Sequence, residues 1–97
     1  MTFRSRKLLD TAHDAPCRAD FSHHCTGWQG CDPAHSDSQL FGRGQGFKTP
    51  DWAVAHLCHN AHMALDTMGR EEQFYAWLRA FVATQNYLYE TGKVKVA

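Results

Sequence analysis

Apolar positions recur with a helical period over the last third of the chain. Between Glu71 and Glu90, Phe74, Trp77, Leu78, Phe81, Val82, Gln85 and Leu88 repeat at i, i+3, i+4 and i+7. That pattern predicts a long amphipathic helix with this stripe in the core. Glu71 and Glu72 fall where carboxylates favour the helix dipole, and Gly92 falls where a helix stop belongs. Upstream, Trp52 to Leu57 is a mostly apolar run that fits a short buried strand, and Leu57 to Asp66 reads as a short helix fed by it. Met68-Gly69-Arg70 breaks the chain between the two helices. Pro33 is tolerated at a strand start or edge, so a further short strand is expected to end near His35. At the N-terminus, Phe3 to His13 reads as a short helix with Leu8, Leu9 and Ala12 apolar, stopped by Pro16.

One stretch breaks the periodic pattern. Gly42-Arg43-Gly44-Gln45-Gly46 has no core-facing side, and its glycines let backbone approach a ligand closely. Arg43 and Lys48 add positive charge there and are candidates to grip phosphates without reading sequence. No Gly-Lys-Ser/Thr follows, so this is no Walker loop.

Composition narrows the class. The chain has 97 residues, room for one α+β domain spanning 1–97 with a small core. A structural metal is a standard staple at this size. Formal net charge is zero, so any contact with nucleic acid has to be local. No apolar run has the length of a signal peptide or a bilayer span, which leads to an expected cytoplasmic address with no membrane partner. In a reducing compartment the four cysteines and seven histidines bind metal more readily than they form disulfides. Two disulfides in an exported domain are the alternative.

The densest chemistry lies in Cys58-His59-Asn60-Ala61-His62-Met63-Ala64-Leu65-Asp66. On a helix, Cys58, His62 and Asp66 fall at i, i+4 and i+8 on or near one face. Thiolate beside imidazole suits zinc, and imidazole beside carboxylate suits a harder ion. The plainer account makes this an amphipathic helix, with Ala61, Leu65 and Met68 facing a core and Cys58 a small buried hydrophobe.

Taken in order, Cys17-x7-Cys25, Ala34-His35-Ser36, Gly42 to Gly46, Lys48-x-Pro50-Asp51, Cys58-x3-His62-x2-Leu65-Asp66 and the tail from Ala83 to Lys95 resemble a known set. They are similar to the small phage and prophage proteins typified by YbcO, a family similar in turn to the recombination nucleases Ref and NinG of the HNH (ββα-metal) class. The resemblance implies a small β-hairpin, a crossing helix, a structural zinc and metal-dependent phosphodiester hydrolysis. It implies Cys17, Cys25 and Cys58 as zinc ligands, His35 as general base and His62 as the helix histidine facing a catalytic ion. Two positions depart from the family. Ala61 stands where a further cysteine is usual, so Cys31 becomes the first candidate for the fourth zinc ligand, with His59 or His24 as substitutes. Ala34 stands where many HNH nucleases carry an ion ligand just before the base.

Hydrolysis of a phosphodiester needs a deprotonated water, a cation against the developing charge and a held substrate. His35 suits the first task, with its other ring nitrogen oriented by a carbonyl or carboxylate. His62 would hold a divalent ion such as Mg²⁺, with Asp51 or Asp66 as oxygen ligands. Plainer roles compete: Asp51 as a turn or helix cap, Asp66 paired with Arg70, and Trp28 and Trp52 as core rather than as platforms on which a base stacks. His13, His23 and His56 carry no assigned role. Two functions compete on these residues. One is a DNA endonuclease without sequence specificity, serving recombination beside a recombinase. The other is a non-catalytic zinc-stabilised module that binds nucleic acid or a recombination protein.

Overall fold

The computed structural model describes residues 3–23, 25, 30–36 and 49–95. They form three helices and one two-stranded antiparallel sheet, in the order α1 (Arg6–Asp10), β1 (Asp32–His35), β2 (Val54–Leu57), α2 (His59–Asp66) and α3 (Arg70–Glu90). Asp32 pairs with Leu57, Pro33 with His56, Ala34 with Ala55 and His35 with Val54. The α+β class, the hairpin, the short helix after it and the long C-terminal helix all follow the pattern of the sequence.

β2 is buried at all four residues because α3 packs chiefly against it. The contact is polar as well as apolar. The Trp77 indole N–H donates to the Ala34 carbonyl at 2.8 Å. Thr84 accepts from the His56 backbone N–H at 2.9 Å and returns its own proton to the Ala80 carbonyl at 2.8 Å. Thr84 thereby satisfies the outward-facing His56 N–H, and Trp77 ties the edge of β1 to the same helix.

The buried stripe of α3 is Ala76, Trp77, Ala80, Thr84 and Leu88. It lies to one side of the expected one. Phe74, Leu78 and Phe81 are only partly covered, and Val82 is 52% exposed. Small residues at 76, 80 and 84 let the helix axis come close to β2, and Trp77 fills the space they leave, with Phe81 stacked on it at 5.0 Å. Shape has overridden bulk apolarity here.

α1 is shorter than the expected Phe3–His13 helix. Ser5 caps it, its hydroxyl accepting from the Leu8 N–H at 3.1 Å. The helix closes at Thr11, where the chain turns and buries Ala12 and Ala15. The Ala12 carbonyl then accepts from the Cys31 N–H at 3.0 Å, tying this turn to the start of β1. Gly30, at φ +81°, makes that approach: a Cβ there would overlap the His13 carbonyl oxygen.

The core joins Ala34, Ala55, Leu57, Cys58, Ala61, Leu65, Trp77 and Ala80. His56 is wholly buried beside it, edge-on to Tyr87 at 6.2 Å, and among the described residues neither ring nitrogen has a hydrogen-bond partner. Burial, with the nearby charges of Arg18 and Lys93, pushes its pKa down to about 4, so the ring is neutral near pH 7.

Candidate metal centre and the His35–Asp51 pair

Two distant segments converge on one cluster. Cys17, His23 and Cys25 come from the stretch after α1, and Cys58 comes from the junction of β2 and α2. One ligand atom from each lies within 4.8 Å of all the others. Metal–ligand bonds of about 2.0 Å to nitrogen and 2.3 Å to sulfur give a tetrahedron with edges of roughly 3.5 Å. The 3.7 Å between Cys17 Sγ and His23 Nε2 is such an edge. The four side chains are close enough to hold a metal such as zinc.

Local structure selects each donor. His23 Nδ1 lies 2.7 Å from the Phe21 carbonyl oxygen, which can only accept. The proton therefore sits on Nδ1, and Nε2 turns its lone pair toward the sulfurs, the arrangement typical of a histidine that ligates metal. Cys58 is the extended residue that caps α2, and its Sγ accepts from the Ala61 N–H at 3.4 Å. The Cys58 N–H in turn donates to Cys17 Sγ at 3.4 Å. Such donors favour thiolates. Burial still outweighs them and raises the Cys17 thiol above its ordinary range, with the neighbouring Cys58 sulfur adding to the shift. A cation held by these side chains would reverse that balance and favour the thiolates.

The expected ligands Cys17, Cys25 and Cys58 all belong to this group. Cys31, the first candidate for the fourth position, stands outside it, and His23 completes the group instead. Cys31 is held at the start of β1 by its N–H bond to Ala12 and is 4% exposed. Burial, and then the sulfurs of Cys17, Cys58 and Cys25, push its thiol up to about 12. It lies directly beside the cluster, its sulfur in side-chain contact with Cys17. All four cysteines are free thiols in this structure. His59 is exposed on α2, and His24 lies outside the described residues. Ala61, the position where the resembled family has a further cysteine, is fully buried core whose backbone serves Cys58.

A second polar cluster forms at the other end of the hairpin. His35 Nε2 lies 3.2 Å from Asp51 Oδ1. The same oxygen accepts from Arg4 at 2.9 Å, and Asp51 Oδ2 accepts from the Ser5 backbone N–H at 2.7 Å. Asp51 is 3% exposed. Burial alone would raise its pKa, and the Ser5, His35 and Arg4 donors overturn that and lower it. Asp51 therefore sits as a carboxylate that orients the imidazole. With both oxygens engaged it is poorly placed to ligate an ion, the role expected of it alongside His62.

His62 is half-buried in the first turn of α2, and Asp66 is exposed at its end. Among the described residues, neither His62 nor Asp66 joins Cys58 in a group of donors close enough to share an ion. α2 begins beyond the Asp32–Leu57 pair, whereas His35 pairs with Val54, about 10 Å farther along the ladder. Among the described residues no hydrogen bond joins His35 to His62. Arg43, Lys48 and Trp28 lie outside the described residues. Among those described, no helix is long and apolar enough to cross a membrane.

No family model, curated protein or solved structure matches this chain.

His23 is the one ligand that the residues alone leave without a role. The signal is present as Cys17-x5-His23-x-Cys25, three soft donors within nine positions. Choosing His23 over its neighbours requires the Phe21 carbonyl, which only the folded chain supplies.

Proposed function

We propose that this chain is a zinc-stabilised, metal-dependent nuclease of the HNH (ββα-metal) class, akin to the YbcO-like phage proteins, and that it hydrolyses phosphodiester bonds in DNA. The observation that carries this reading is the His35–Asp51 pair. A partly exposed imidazole is held through Nε2 by a buried carboxylate, and in this reading Nδ1 is the atom that takes a proton from water. An antiparallel hairpin followed at once by a helix, with a Cys₃His cluster at their junction, supports the same reading. In it, Cys17, His23, Cys25 and Cys58 hold zinc, which supplies folding energy and no chemistry. His35 is the general base and Asp51 its positioning residue. His62 is the candidate protein ligand for a catalytic divalent ion, and Arg43 and Lys48 are candidates for flanking phosphates.

One observation favours the non-catalytic module instead. Ala34, just before the base, is buried with its carbonyl taken by Trp77, so the strand offers no ion ligand there. Nicking of plasmid and single-stranded DNA with Mg²⁺ or Mn²⁺ decides between the two. The nuclease reading expects cutting by the wild type that His35→Ala abolishes. No cutting with either metal, or cutting that survives in His35→Ala, leaves the binding module standing.

A further inference from the structure

The backbone that fixes Asp51 also places two exposed aromatic residues next to the His35 cluster. The Asp51 N–H donates to the Phe3 carbonyl at 3.1 Å, and the Ser5 N–H closes the loop onto Asp51 Oδ2 at 2.7 Å. Phe3 and Trp52 are thus chain neighbours of the bonded residues Arg4 and Asp51. Both stay open to solvent, Phe3 at 51% and Trp52 at 43%, even though a small domain gains by covering such rings. Trp52 leans on Phe81, ring centroids 6.3 Å apart and tilted by 48°, so its orientation is braced from α3. Arg4, next to Phe3 in the chain, bonds Asp51 through one N–H, and its side chain stays 46% exposed.

From this we infer that Phe3, Arg4 and Trp52 form a binding lip for single-stranded nucleic acid beside His35. Unpaired bases stack on the two rings, and Arg4 holds an adjoining phosphate. The inference rests on the reading of His35 as part of a phosphodiester-cleaving site, and it names the form of the substrate. Aromatic faces and an arginine attract any unpaired base in sequence-tolerant fashion. A duplex keeps its bases stacked on one another and offers this lip only phosphates. That selectivity also suits a chain whose net charge is zero, since binding then leans on stacking more than on bulk attraction.

The test uses the full zinc-loaded chain and a fluorescein-labelled oligothymidine of about twelve nucleotides, within the span one small domain covers. Anisotropy is read without added Mg²⁺ or Mn²⁺, so binding is measured apart from cutting. Trp52→Ala and Phe3→Ala should each weaken binding roughly five- to a hundredfold, and Trp52→Phe should restore most of it. Arg4→Gln should reduce the slope of log affinity against log salt by about 0.7. A blunt duplex of equal length should bind at least about tenfold more weakly, lacking the stacked bases. Zinc content and circular dichroism confirm that each variant is folded.

Equal affinity for duplex and single strand overturns the inference. So do folded alanine variants that bind like the wild type, or a wild type that binds no oligonucleotide, as a protein-docking face would behave. Binding with the expected variant pattern but no cutting under either metal sinks the nuclease and leaves the lip. Cutting that is indifferent to Trp52→Ala and Phe3→Ala sinks the lip and leaves the nuclease.

Discussion

Trp77 on α3 donates its indole proton to the carbonyl of Ala34 on β1, 43 positions away, at 2.8 Å. This bond crosses the core and clamps the strand that carries His35 to the longest helix. Trp77→Phe keeps most of the apolar volume and removes one of the two donors to a carbonyl that also faces β2 across the Ala34–Ala55 pair. A loss of about 0.5–1.5 kcal/mol in stability is expected, read as a lower urea midpoint with an unchanged slope.

Metal content separates the two candidates for the fourth ligand. The wild type should carry one zinc per chain by mass spectrometry. His23→Ala and Cys58→Ser should lose it on dialysis against a weak chelator, whereas Cys31→Ser should keep it. His23→Cys should also retain the ion, because a thiolate can replace imidazole in a tetrahedral site. Removing zinc from the wild type should unfold the region holding the ligands, since for small domains metal binding and folding are one equilibrium.

Asp51 sets the acid limb of stability. Its pKa is lowered by the fold, so the unfolded chain binds the proton more tightly. The carboxylate's contribution is therefore complete above its ordinary value of 3.8 and is lost as pH falls through the lower folded value. Asp51→Asn should cost about 1–3 kcal/mol near neutral pH through the broken Ser5, Arg4 and His35 contacts. The gap between variant and wild type should close below pH 3.8 in denaturation curves taken at matched zinc load. A gap that persists unchanged into strong acid would contradict the assignment.

Two glycines should respond in opposite directions. Gly30→Ala places a methyl group against the His13 carbonyl at positive φ and should destabilise by roughly 2 kcal/mol or more. Gly69 caps α3 in an extended conformation, with no side-chain cap, and a Cβ added there would meet nothing within 4 Å. Gly69→Asp should stabilise by a few tenths of a kcal/mol, by bonding an open N–H of the first turn. Thermal unfolding of the two variants side by side checks both.

Residues 71–90 could be read from the sequence because one face of that helix is apolar over five turns. The strand at 54–57 could be read because an apolar run too short for a helix is flanked by turns. The width of the α3 stripe could not, because alternatives such as Val82 and Ala80 differ in fit against β2 rather than in hydrophobicity. Three metal donors were legible as cysteines. The fourth was not, since seven histidines compete on composition and a single backbone carbonyl selects His23. The role of Asp51 was open for a similar reason: its partners Arg4 and Ser5 stand 47 and 46 positions away.

The donors of the Cys₃His cluster leave the ribosome in two instalments. Cys17, His23 and Cys25 emerge together, and Cys58 follows only after β2 has been made. A metal captured by the first three while the hairpin was still being synthesised would therefore be held by three arms alone. Cys58 would close its coordination only once β2 had delivered the start of α2 to the same place.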